Sequence, residues 1–202
     1  MMGSMVRIVT GLAVVCSLTL GGALTSAADS AFKYIGASKC KTCHKKELIG
    51  DQYGKWEKAG HASAFKTLLG EKAIAVAKEK GISGPPSEAA ECLKCHATAA
   101  GLGPNDVEKK PLDNKDGVQC ESCHGPGSGY KKKKVMADHE KSLAAGLVIP
   151  DEKTCTKCHN DTSPTWAGFD YAEAKKKIDH SIPKDVKGKY IEVEKAQKAE
   201  GK

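Results

Sequence analysis

The stretch Gly117-Val-Gln-Cys120-Glu-Ser-Cys123-His124-Gly-Pro-Gly127 decides how the whole chain is read. It sets two thiols one helical turn apart, follows the second at once with an imidazole, and then stops the turn with Gly-Pro-Gly, which continues neither helix nor strand. Its core, Cys-x-x-Cys-His, is written four times: Cys40-Lys-Thr-Cys43-His44, Cys92-Leu-Lys-Cys95-His96, Cys120-Glu-Ser-Cys123-His124 and Cys155-Thr-Lys-Cys158-His159. Eight of the 9 cysteines are used in this way; the other, Cys16, lies in an apolar N-terminal run.

A disulfide framework or a pair of four-cysteine zinc sites would also consume eight cysteines, but neither explains a histidine after every second one. Covalent haem attachment does. Two thiols spaced Cys-x-x-Cys meet the two vinyl groups on one porphyrin edge as thioethers, and the adjacent histidine gives its imidazole to the iron. Cys40, Cys43, Cys92, Cys95, Cys120, Cys123, Cys155 and Cys158 are therefore expected to attach four c-type haems, with His44, His96, His124 and His159 as proximal iron ligands.

Composition agrees. Only 5% of the 202 residues are aromatic, too few for a conventional core, whereas four macrocycles supply buried apolar surface and make folding depend on the cofactor. The formal charge is +7, yet Arg7 is the only arginine, so bidentate readout of bases or phosphates is not expected. Two propionates per haem, about eight negative charges in all, offset much of the lysine excess. The run Lys131–Lys134 reads equally as a docking patch for an acidic partner or as a solvated helix start pairing with propionates.

Residues 1–28 read as an export signal, with Arg7 before an apolar run from Ile8 to Leu24, then small residues and cleavage after Ala28. Its glycines and hydroxyls make it a poor permanent anchor. Residues 29–183 then form a single compact, mainly α domain with long irregular loops around the haems, and 184–202 a charged tail in which Lys189–Lys195 suits either a short strand or disorder. Helices are expected near Lys45–Lys58 and Glu71–Lys80, over Lys132–Ala145 with His139, and over Asp170–His180.

Of the 7 histidines, His61, His139 and His180 remain after the proximal four. Four irons offer four distal positions, so three haems are expected to be bis-histidine and one to lack a distal histidine. Met136, the only methionine beyond the export signal, or a lysine are the other donors; a five-coordinate haem is the preferred reading. Bis-histidine ligation lacks the methionine that raises potential, so low potentials suited to electron transfer are expected.

The motif order, CESCHGPG at the third motif, GHA (60–62) after the first, DHEKS (138–142) after the third and a helix ending in histidine after the fourth resemble the tetrahaem cytochrome c-554 family. The likeness runs from about Ser38 to His180. It implies a compact helical fold around two stacked haem pairs, and a bacterial periplasmic electron carrier receiving electrons from a multihaem oxidoreductase such as hydroxylamine oxidoreductase. It further implies His139 on the first haem (His44), His61 on the third (His124) and His180 on the fourth (His159), leaving the second (His96) five-coordinate beneath Phe169. Redox proteins as donor and acceptor are the implied partners. The competing function is an enzyme reducing nitric oxide or another small nitrogen oxide at the haem of His96. Multihaem nitrite reductases typically carry a Cys-x-x-Cys-Lys haem and an active-site arginine; neither occurs after residue 28.

Overall fold

The computed structural model describes residues 31–110, 112–187, 189 and 199; the expected export signal and most of the expected charged tail lie outside them. The described residues are mainly α. Each haem motif is built around one helical turn. Helix α1 (Ala37–His44) carries the first motif and α5 (Ala90–His96) the second, while α6 (Cys120–His124) is the third motif itself. Helix α9 (Glu152–Thr156) opens the fourth, whose Cys158 and His159 amides still donate to the Cys155 carbonyl at 3.2 and 3.0 Å. Three of these helices end on their histidine, so the imidazole leaves from a frayed last turn.

The intervening helices are short. Helix α2 (Gln52–Glu57) follows a 3₁₀ turn (Glu47–Ile49), α3 is Ala64–Thr67, α4 Glu71–Glu79, α7 Lys133–Met136, α8 His139–Ala144 and α10 Tyr171–Ile178. Among the described residues there is no strand, only a parallel bridge between Tyr34 and Val107.

Three expected helices are shorter than their sequence patterns. The one over Lys45–Lys58 is interrupted at Gly50 and Asp51, both at positive φ (97° and 45°), and Asp51 restarts it by accepting from the Gly54 amide at 3.0 Å. The one over Lys132–Ala145 divides because the Asp138 carboxylate caps α8, accepting from the Lys141 amide at 3.1 Å. The last helix is capped by Asp170 and stops at Ile178, so His180 stands two residues beyond it.

Apolar packing is thin, as the scarcity of aromatics predicts. Phe65, Leu68, Leu93 and Ala97 form the hydrophobic cluster between α3 and α5, with Cys92 and Ala100 against it. Buried Glu121 organises the opposite end. Its carboxylate accepts from the Ile35 amide at 2.9 Å and from the Gly36 and Gly127 amides at 2.7 Å each, tying the N-terminal segment to the third motif.

Candidate haem-binding sites

The stretch quoted at the outset is held by its glycines. Gly117 sits at φ 67°, and a Cβ there would meet the Ala62 carbonyl at 2.7 Å and the His61 carbonyl at 2.8 Å. That close approach lets the Val118 amide donate to the His61 carbonyl at 2.9 Å, so the segment leading into the third motif fixes the backbone of His61. Gly125, at φ 76°, brings His124 against the Gly146–Val148 loop, where a Cβ would meet the Gly146 carbonyl at 2.9 Å. The Gly-Pro-Gly run is closely packed at its second glycine: Gly127 would collide with Ile35 and Glu121 if it carried a side chain.

Four of the seven imidazoles share one arrangement. His96 directs Nδ1 to the Ala64 carbonyl at 2.9 Å, His124 to the Val148 carbonyl at 3.1 Å, His180 to the Ile178 carbonyl at 2.7 Å and His44 to the Gln52 amide oxygen at 3.4 Å. A neutral imidazole that donates through Nδ1 presents its Nε2 lone pair to a metal. Burial holds His44, His61 and His124 below the ordinary imidazole value, which favours the neutral form that binds iron.

Two histidine pairs face each other. The rings of His61 and His159 have centroids 6.0 Å apart and planes at 75°; those of His124 and His180 are 6.0 Å apart at 82°. An iron–nitrogen bond is about 2 Å, so two imidazoles binding one iron from opposite faces stand with centroids about 6 Å apart. This partnership differs from the one the resemblance implied, in which His61 served His124 and His180 served His159. The rings brought to this distance are those of His61 with His159 and, two residues past the end of α10 at Ile178, of His180 with His124. Phe169, expected above the haem of His96, lies flat on His159 instead, centroids 4.8 Å apart and planes at 14°. The short segment between His159 and α10 folds it back. His139 begins α8 at the surface and makes no ring contact to another histidine among the described residues.

The thiols also meet across motifs. None of the eight is in a disulfide. Cys40 is within hydrogen-bond reach of Cys120, and that contact raises Cys40 and lowers Cys120, so the two hold one proton between them more tightly than two isolated thiols would. Burial and the neighbouring Cys95, also within hydrogen-bond reach, push Cys158 up to about 12. The attachment edges of the first and third motifs are thus adjacent, as are those of the second and fourth.

These residues fit a haem better than a bare metal ion. Among the described residues no three His, Cys, Asp or Glu side chains converge on one point, whereas a porphyrin already supplies four nitrogens and asks the protein for one or two. Glu121 was not legible as a functional residue, because the positions between the two cysteines of such a motif carry no chemical requirement of their own.

The family model described as "Cytochrome c554 and c-prime" matches residues 39–125. Cytochrome c-554 of Nitrosomonas europaea is 29% identical over 183 residues, covering 81% of this chain and 72% of that protein. No solved structure matches.

Proposed function

We propose that this chain is a member of the cytochrome c-554 family, a c-type cytochrome carrying electrons on covalently bound haem, and that it is a periplasmic tetrahaem shuttle between redox proteins, a reading supported by the family model over residues 39–125 and by the relative 29% identical to it. In this reading the eight motif cysteines hold four haems. The third haem takes His124 and His180, the fourth His159 and His61, the first His44 with His139 for its second ligand, and the second His96 alone. The observation that carries it is the pair of facing imidazoles at 6.0 Å, each joining a motif histidine to a spare one.

Haem supplies the one-electron chemistry; the chain supplies position. The nearness of Cys40 to Cys120 and of Cys95 to Cys158 supports haems held as two close pairs, and Cys123 and Cys155 are near enough to interact, so the two pairs would be neighbours. An electron can then pass from pair to pair without crossing bulk protein.

Pyridine haemochrome assay of the mature protein should give four haems per chain, and any other number overturns the cofactor assignment. Electron paramagnetic resonance should show three low-spin ferric haems and one high-spin haem; four low-spin signals overturn the open site. The second reading, reduction of nitric oxide at the haem of His96, rests on the count of three spare histidines for four irons. Turnover of nitric oxide on a millisecond-to-second scale in stopped flow would promote it over the shuttle.

A further inference from the structure

Glu121 is 2% exposed, one of the two most completely buried side chains described, and it lies between the two cysteines of the third motif. Both carboxylate oxygens are occupied as acceptors. Oε1 takes the Gly127 amide at 2.7 Å and the Ile35 amide at 2.9 Å; Oε2 takes the Gly36 amide at 2.7 Å and the Ile35 amide at 3.2 Å. A protonated carboxyl would need an acceptor for its hydrogen, and every neighbour bonded to it is a donor. Burial pushes the Glu121 carboxyl above the ordinary carboxylate value and the Gly127, Ile35 and Gly36 amides pull it back; with donors alone around both oxygens, the arrangement suits the ionised form. Its surroundings are low in water and close to the haem attachment points: Cys40 and Cys120, the thiols that touch each other, both feel its charge, as do Tyr34 and Tyr130.

A buried negative charge acts over distance because little water screens it. A ferric haem carries one more positive charge than a ferrous one, so a fixed carboxylate nearby favours the oxidised state and lowers the reduction potential. We propose that Glu121 is a potential-setting residue for the first and third haems, a permanent counter-charge caged by the amides of Ile35, Gly36 and Gly127. One electron enters a ferric iron and no proton moves at Glu121; the charge simply makes that entry less favourable at these two haems than it would otherwise be. The second and fourth haems, attached at the Cys95–Cys158 contact, are less affected. This rests on the four-haem reading above.

The test is a redox titration of holoprotein followed by electron paramagnetic resonance, with the third haem's signal identified from an H180A variant and the fourth's from H61A. In E121Q, which keeps size and removes charge, the potentials of the first and third haems should rise while those of the second and fourth hold. In E121D, where the charge is retained but withdrawn by one methylene, the same two should rise by less. Glu121 acting only as a structural clamp predicts lowered thermal stability in both variants with all four potentials unmoved or moved together, and either pattern overturns the proposal. Should E121Q not retain four haems, E121D alone decides by whether the shift is confined to the first and third. Haem stoichiometry and the spin-state change in H180A are read independently, so a failure of the four-haem reading is distinguishable from a failure of this one.

Discussion

His61 faces His159 edge-on, ring centroids 6.0 Å apart, although two other haem motifs lie between them in the chain. The sequence leaves His61 open to any of four motifs; the fold turns its ring toward His159.

That pairing is open to direct test. Replacing His61 with alanine should turn the haem of His159 high-spin and leave that of His124 low-spin, whereas H180A should do the reverse. Low-temperature electron paramagnetic resonance of the two ferric variants distinguishes this from the partnership drawn from family resemblance, which assigns the effects the other way round.

The Nδ1 of His44 meets a side-chain acceptor, the Gln52 amide oxygen, at 3.4 Å. Such a bond makes the imidazole a stronger donor to iron, which favours the ferric state. Q52L should therefore raise the potential of the first haem, by about 50 mV if the bond is worth roughly 1 kcal/mol. Spectroelectrochemistry of the variant checks it; an unchanged or lowered potential contradicts it.

Gly117 cannot take a side chain without moving the His61 backbone. G117A meets carbonyl oxygens at 2.7 and 2.8 Å from a φ of 67°, so a stability loss of about 1–3 kcal/mol is expected. Thermal melting of the holoprotein should show it, together with partial loss of the low-spin signal of the haem that His61 serves. A G117A protein with wild-type melting and spectrum would show that the loop shifts freely.

Acid should loosen the imidazole pairs. Burial lowers the folded-state values of His44, His61 and His124 below the unfolded value of about 6.5, so folding favours their neutral forms. Their contribution to stability is complete above that unfolded value and is lost as pH falls through the lower folded values. Melting temperature should hold from pH 8 to about 6.5 and decline below it, with high-spin signal rising in parallel; a protein that gains stability on acidification contradicts the sign.

The four motifs were legible in sequence because thioether attachment fixes the spacing of Cys40 and Cys43, or of Cys120 and Cys123, within one helical turn. The fold class followed, since each turn is helical by necessity. The pairing of distant groups was not legible. Nothing local to His61 or His180 states which motif histidine its ring will face, because that depends on how segments remote in the chain come together. The divided helices were missed for a related reason: Asp51 and Asp138 read as tolerable helix residues, but each caps a new start. Gly125 and Gly127 were legible as turn residues, yet what they accommodate, the Gly146–Val148 loop and Ile35, comes from far along the chain.

The thiol contacts carry a further consequence, for how the molecule comes together. Cys40 meets Cys120 and Cys95 meets Cys158, so each link joins an earlier part of the chain to one synthesised much later. Contacts this remote in sequence close slowly and late. The nascent chain must therefore emerge through its third motif before the first finds its neighbour and through its fourth before the second does, and until then the earlier Cys-x-x-Cys-His turns stay open to whatever machinery attaches the cofactor. The same long reach that makes the finished protein compact keeps its precursor accessible.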